Sequence, residues 1–431
     1  MTAQKYFDST QFASGESIPS RFAKLELAPT ADQDSSLVQR FFRTQFFKLL
    51  ANIENGCIHI NDPFGSFTFG DPSSDLRCRI AIYNVATYTK IALGGSNGSG
   101  QAYIDGLWSS DNPTALIRIL VRNRDVLDSM ESGLTSFAQL ALKAWHALNR
   151  NSKQGSRKNI AAHYDLGNDF FKLFLDQRMM YSSGLYQEGD DLERASQRKL
   201  DQICTSLELN QHDHIVEIGS GWGGFACYAA QKTGCKVTTV TISQEQYNEA
   251  VKQVRKHGLE ERVTVKLQDY RDIQGTFDKV VSIEMIEAVG HQYLDGYFGK
   301  INTLLKPGGK ALIQAIVIDD SQYQRALKEV DYIKRYIFPG SFIPCYSIIS
   351  HSAGNNHLML ESLHDMGLSY AQTLRDWRKR FYQQLPTIEQ QGYDKPFQRM
   401  WEFYLCYCEG GFDEQAISVG QILFRKQAEL K

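Results

Sequence analysis

The sequence predicts an α/β protein: a Rossmann-like sheet with helices on both faces and a helical lid, preceded by a smaller α+β domain. Three observations carry this. From about residue 160 onward, strand-like and helix-like stretches alternate. A glycine-rich turn, Glu217–Gly224, sits directly between the first of these strands and its helix. Ahead of residue 145 the pattern differs, with short alternating strands after one helical stretch. Alternation of strand and helix implies a parallel sheet joined by crossover helices.

In chain order, residues 1–35 are mixed and polar and read as an arm. Residues 36–145 form the α+β domain. It opens with a helix at Val38–Leu50 and continues with strands at Cys57–Ile60, Ser66–Phe69 and Cys78–Tyr83, punctuated by Gly, Asn, Asp and Pro. Gly94–Gly100 reads as a flexible turn, since it lacks the lysine and helix context of a phosphate loop. Residues 146–160 read as a linker whose Arg150, Lys153, Arg157 and Lys158 form either a solvated hinge or a strip for anionic headgroups.

Residues 161–431 form the sheet domain. Strands are expected at His214–Gly219, Lys236–Ser243, Arg262–Leu267, Phe277–Ile283 and Gly309–Val317, with helices at Gly224–Gln231 and Gln244–Lys256. Ala416–Phe424 is a candidate final edge strand. Asp319–Phe342 and Ala371–Phe412 are helical, rich in aromatics and too long for plain connections, so they read as the lid.

The 431 residues allow two or three domains. With 42% hydrophobic and 22% charged residues, a disordered or collagenous chain is excluded. Lys+Arg number 47 against Asp+Glu 49, which gives no global electrostatic reason to bind nucleic acid. No apolar run is long enough to span a bilayer, and Met1–Ser20 lacks a signal-peptide core. The eight cysteines contain no CxxC pair, and the histidines lack zinc-like spacing. A reduced, cytoplasmic protein without a structural metal is expected.

The turn Glu217–Gly224 allows close approach of a ligand to backbone. Alone it is ambiguous between a dinucleotide and S-adenosylmethionine (SAM). Three features favour SAM. Glu217 precedes the first glycine, placed for the ammonium of an amino-acid moiety. The second strand ends in Thr241–Gln246, without the acid that would anchor the ribose of NAD. The third strand ends in Gln268–Tyr270, which offers Asp269 to an adenine amine and the Tyr270 ring for stacking. The plainer reading of Asp269 and Tyr270 is a turn.

Taken together, His163–Phe171, Met180–Gly184, the glycine loop with Trp222, Val240–Gln246, Leu267–Asp272, Ile283–Gly290, Tyr336–Gly340 and Tyr370–Leu374 resemble the cyclopropane-fatty-acyl-phospholipid synthases and mycolic acid methyltransferases. These segments run in the family's order over roughly 160–425. The resemblance implies a class I SAM-methyltransferase fold and methyl transfer to the double bond of a phospholipid acyl chain. It also implies that Tyr181, Ser182, Gly219, Gly221, Thr241, Ile242, Gln246 and Tyr270 contact SAM, with Trp222 and Gly223 inside the loop.

Methylating an alkene leaves a carbocation, which needs a dry site, aromatic or anionic neighbours and a base. Loss of a proton from the new methyl group closes a cyclopropane; loss from a neighbouring carbon leaves a methyl- or methylene-branched chain. The resemblance implies that the ring formers use bicarbonate as this base. It is held by backbone and by a Cys, a Glu, a His and a Tyr. The matching positions here are Ser183, Glu287, Gln314 and Tyr370, with backbone from Ile316; Ala288 stands where many members carry His. Glu284 stands where the ring formers have Gly. Bicarbonate and Glu284 are therefore competing candidates for the same place; the plainer reading of Glu284 is a strand-end residue bonded to backbone or a solvated side chain. The expected catalytic set is Glu284, Glu287, Tyr370, Ser183 and Gln314. Cys408 joins it as a family match, although no mechanism here needs a thiolate and a buried structural thiol is the better reading. Tyr393, Phe397, Trp401, Phe403 and Tyr404 are candidates for an acyl channel or for core.

Two other readings stand beside this one: a SAM enzyme for a soluble small molecule, and a non-catalytic lipid-binding module. The expected partners are an unsaturated acyl chain, the inner membrane face through transient docking, and a second copy of the chain.

Overall fold

The computed structural model describes residues 18–24, 36–131 and 166–427. Most of the arm, all of the linker 146–160 and the motif residues His163, Tyr164 and Asp165 lie outside the described residues.

The front part opens with a helix, Leu37–Leu50, started by a capping box between Ser36 and Gln39. Strands β1 (Cys57–Asp62), β2 (Gly65–Gly70), β3 (Arg77–Ile82) and β4 (Trp108–Ser110) follow. They form one sheet in the order β2-β1-β3-β4. The inward residues Ile58, Ile60, Ile80 and Ile82 are buried, as period-two alternation requires.

Gly94–Gly100 turns the chain at Gly95 (φ 53°, ψ −135°), where the stretch Ala86–Ile104 breaks into two helices; the residues on either side of Gly95 are helical. A Cβ on Gly98 would sit 1.9 Å from the Lys90 carbonyl oxygen, and one on Gly100 would sit 2.4 Å from the Tyr332 ring. Asn97 donates to the Val330 carbonyl at 2.6 Å. The small residues are thus a packing device, and close tertiary contact overrides the poor helix propensity of glycine.

The second sheet has β5 (His214–Ile218), β6 (Lys236–Thr241), β7 (Val263–Leu267), β8 (Phe277–Ile283), β9 (Leu305–Ile318), β10 (Leu358–Asp365) and β11 (Ile417–Lys426). Its order is β10-β11-β9-β8-β5-β6-β7. Neighbours from β9 to β7 run parallel. β11 is antiparallel to both β9 and β10. Two expectations are corrected here. The sheet is mixed rather than parallel, and the strand expected at the edge, Ala416–Phe424, is interior. The true edge is β10. Its Met359, Leu360 and Leu363 are exposed, so no clean alternation marks it in the sequence.

Separate apolar clusters line the two faces of this sheet. A third joins the front part to the lid. It runs from Ile58 and Tyr103 through Phe170 and Phe174 to Trp377, Phe381 and Trp401. The lid helices are Gly367–Gln383 and Lys395–Asp413. The second packs on Pro113–Arg122, where a Cβ on Gly410 would meet Ile117 at 2.9 Å. Buried charges in this interface are matched: Arg378 pairs with Glu409 at 2.8 Å, and Glu402 accepts from Tyr103 and Tyr382.

Candidate active site

The loop after β5 is shaped by three glycines in the left-handed region: Gly219 (φ 94°), Gly221 (φ 47°) and Gly223 (φ 89°). Gly219 and Ser220 donate their N–H groups to the Val240 carbonyl at 3.1 and 2.9 Å, which pins the loop to β6. A Cβ on Gly223 would press on Ala250 at 3.2 Å, so this glycine serves packing; one on Gly221 would meet nothing within 4 Å. The loop therefore presents open backbone at Gly221.

That backbone borders a cavity of about 510 Å³, ordinary for a ligand site. Of the sequence-predicted residues, Tyr181, Ser182, Glu217, Gly219, Gly221, Trp222, Thr241, Ile242, Gln246, Asp269, Tyr270, Glu284, Glu287, Tyr370 and Cys408 all line it. Ser183 and Gln314 are fully buried behind the wall.

At the loop end, Glu217 is buried and accepts from Thr239 Oγ1 at 2.5 Å. Burial pushes its carboxyl up to about 8. Gln246, at the start of the helix Gln244–Lys256, accepts from Thr241 Oγ1 at 2.8 Å. Tyr270 turns its ring edge-on to Tyr297. Trp222 donates to Asn168 at 2.6 Å. Asp269 also forms a turn: it accepts from the Arg271 N–H at 3.0 Å and pairs with that guanidinium at 2.6 Å. An adenine amine would share it with Arg271. An open glycine backbone, an acid at the strand end and a ring beyond it fit SAM.

Sequence reasoning missed Lys199. It is fully buried and donates to Ser182 Oγ at 2.6 Å. Burial lowers its pKa to about 8 against the pull of Glu284, Asp176 and Glu217. Because an ammonium can only donate, the Ser182 hydroxyl proton is left to point elsewhere. The lysine sits at a helical position, in Leu192–Ser206, where a solvated residue is the default expectation.

At the far side, Glu284 follows β8 with φ 47°, a conformation that costs a non-glycine residue about 1–2 kcal/mol. Three donors hold its carboxylate. The Ser183 N–H reaches Oε1 at 2.9 Å, Gln314 Nε2 reaches Oε1 at 2.8 Å, and Tyr370 OH reaches Oε2 at 2.8 Å. Gln421, opposite Gln314 in the β9–β11 register, donates to Gln314 Oε1 at 3.1 Å. This fixes the amide with its NH₂ toward Glu284. Glu287 accepts the Ile316 N–H at 2.6 Å, while its second oxygen is buried without a partner. Burial, then the charge of Glu284, pushes Glu287 up to about 8. Burial also raises Glu284, but the donors and Lys199 oppose it. The two carboxyls titrate as a coupled pair; the donors and Lys199 favour the charged form at Glu284, while burial and the neighbouring charge favour the neutral form at Glu287.

The remaining candidates divide. The Cys408 thiol borders the cavity, but burial first and Asp331 second push its pKa far up, away from a thiolate. Phe403 and Tyr404 line the cavity. Tyr393, Phe397 and Trp401 pack around Phe170 as core. Leu116, Ile117, Leu120 and Val121 of the front part form an apolar wall of the same cavity; no motif marks them in the sequence.

A pH effect on stability follows. Glu217 and Glu287 rise from the ordinary 4.5 to about 8 on folding. Between those values the folded chain holds more protons than the unfolded one, so stability falls as pH rises through that window. Thermal unfolding at pH 5.5 and 8 is expected to show a lower midpoint at pH 8, with Glu287→Gln flattening the difference.

The family model described as mycolic acid cyclopropane synthetase matches residues 151–422. The chain is 35% identical over 342 residues to the tuberculostearic acid methyltransferase UfaA1 of Mycobacterium tuberculosis, covering 77% of this chain and 79% of that protein. It is 34% identical over 362 residues to the cyclopropane-fatty-acyl-phospholipid synthase of Escherichia coli, covering 84% and 90%. Among solved structures, the mycolic acid cyclopropane synthase CmaA1, complexed with SAH and CTAB, superposes with a TM-score of 0.59 at 26% identity, covering 63% of this chain and 98% of that one. With the glycine loop and the carboxylates on one cavity, these similarities place the chain in the mycolic acid cyclopropane synthetase family, as a SAM-dependent methyltransferase.

Proposed function

We propose that the protein methylates the double bond of unsaturated phospholipid acyl chains, with Glu284 as the built-in base. The observation that carries this is the seat of Glu284. Ser183, Gln314 and Tyr370, the positions that the resemblance assigns to bicarbonate, all donate to its carboxylate.

Tyr181, Ser182, Glu217, Gly219, Gly221, Trp222, Thr241, Ile242, Gln246, Asp269 and Tyr270 would hold SAM, which supplies an electrophilic methyl group. The apolar wall from Leu116 to Val121, with Phe403 and Tyr404, holds the acyl chain and keeps water from it. The alkene π pair forms the new C–C bond to the methyl carbon as that carbon's bond to sulfur breaks and leaves its pair on sulfur; the other alkene carbon becomes cationic. Glu284 stabilises that cation and then takes a proton, either from the new methyl group or from a carbon next to the cation. The C–H pair closes either a cyclopropane or a new double bond beside a methyl branch. Glu287, held toward its neutral form, leaves Glu284 as the charged member of the pair.

The division at residues 146–160 belongs to the same proposal, as does transient docking on a membrane face, which brings the chain to the cavity. The test is mass spectrometry of total fatty acids from a host expressing the protein. Acyl chains heavier by one CH₂ are expected, and fragmentation separates ring from branch. An unchanged acyl profile, with methyl label entering only the soluble extract, would overturn the proposal in favour of a soluble substrate.

A further inference from the structure

Four cationic side chains border the cavity: Arg124, Arg271, Arg325 and Lys334. Three are engaged. Arg271 pairs with Asp269. Arg325 pairs with Asp128 and Glu329. Lys334 donates to the carbonyls of Ala326 and Glu329. The bordering acids outside the catalytic pair are likewise engaged: Asp128 and Glu329 with Arg325, Asp331 with the Lys334 N–H at 2.9 Å.

Arg124 is different. Among the described residues no carboxylate lies within ion-pair distance of it. One amino group donates to the Gln322 side-chain oxygen at 2.8 Å. Its Nε is buried and has no hydrogen-bond partner. A buried guanidinium donor left unpaired is costly unless a ligand completes it. Arg124 opens the helix Arg124–Glu131, one residue after the helix Pro113–Arg122, whose Leu116, Leu120 and Val121 form the apolar wall. An apolar wall that ends at an unpaired guanidinium matches an amphiphile with a hydrocarbon tail and an anionic head.

We propose that Arg124 is an anion subsite that receives the phosphodiester of the acyl lipid. This rests on the acyl-lipid reading above and adds the group that is recognised. Phosphodiester oxygens suit the guanidinium fork, whose Nε and an amino group can donate in parallel. Gln322 holds the amino group on the same side as Nε. The subsite assigns a role to the front part of the chain: it supplies both the wall for the tail and the counter-ion for the head.

The test compares wild type with Arg124→Gln and Arg124→Lys on three substrates in the same neutral detergent micelle: dioleoyl phosphatidylglycerol, oleate and oleyl alcohol. The readout is the ratio of kcat/KM for phospholipid to kcat/KM for alcohol. Arg124→Gln is expected to lower this ratio about tenfold or more, as loss of a charge-assisted hydrogen bond implies. Arg124→Lys, which keeps the charge and loses the fork, is expected to fall between. General damage to the fold lowers both rates together and leaves the ratio alone, so an unchanged ratio would overturn the subsite. A loss confined to oleate would also overturn it, by assigning the anion as a carboxylate. A wild type that methylates none of the three would overturn the acyl-lipid reading and the subsite with it.

Discussion

Glu284→Gln is expected to lower turnover by about 10²–10⁴-fold, the usual contribution of a general base, while binding of S-adenosylhomocysteine persists. The glycine loop that would take the nucleotide lies after β5, whereas Glu284 follows β8. The substitution is isosteric; it removes the negative charge and the ability to accept a proton, and sets an NH₂ in place of one accepting oxygen. Calorimetry with S-adenosylhomocysteine and mass analysis of lipid products read the two effects separately; undiminished turnover would reject Glu284 as the base. Glu284→Gly sharpens the argument. It relieves a left-handed residue at φ 47°, worth about 1–2 kcal/mol, and frees three donors from their carboxylate. If those donors form an anion seat, activity lost in the glycine variant returns with added bicarbonate. The response of wild type to bicarbonate is then expected to be flat.

Gly98→Ala is expected to destabilise the fold by about 3 kcal/mol, the upper range for overpacking. The added methyl would lie 1.9 Å from the Lys90 carbonyl oxygen, so backbone must move, and with it the contact of Gly100 with Tyr332. Gly94→Ala, four residues away and before the break at Gly95, has open space around its Cβ and no positive φ. It is expected to stabilise by about 0.5–1 kcal/mol through a stiffer unfolded chain. Urea unfolding of the two variants should therefore move in opposite directions. Equal shifts would mean that the run serves flexibility rather than contact.

These glycines also show where sequence reading stops. Local propensity marks them as a turn, which holds at Gly95; only the partners Lys90 and Tyr332 reveal the two helices that it joins. β10 is missed for a related reason: Leu358–Asp365 exposes Met359, Leu360 and Leu363, so its period carries no signal. By contrast, β5 to β8 and their helices are legible because hydrophobic runs and caps such as Ser243 are local features. The carboxylates Glu284 and Glu287 stand out from their residue types and their place at a strand end. Their partners do not: Gln421 lies 107 residues from Gln314, and Lys199 looks like any helix-surface lysine until its burial is known. Arg124 was hidden in the same way, since its distinction is a buried Nε without a hydrogen-bond partner.

The antiparallel β11 between β9 and β10 has a temporal corollary. Gln421 is synthesised after every other member of the Glu284 hydrogen-bond chain, and its strand must slide between two that the ribosome has already delivered. Such non-local pairing is slow. The proton acceptor is thus set in its working orientation only as the sheet closes, and a nascent chain that has reached the lid still lacks the amide that aims Gln314.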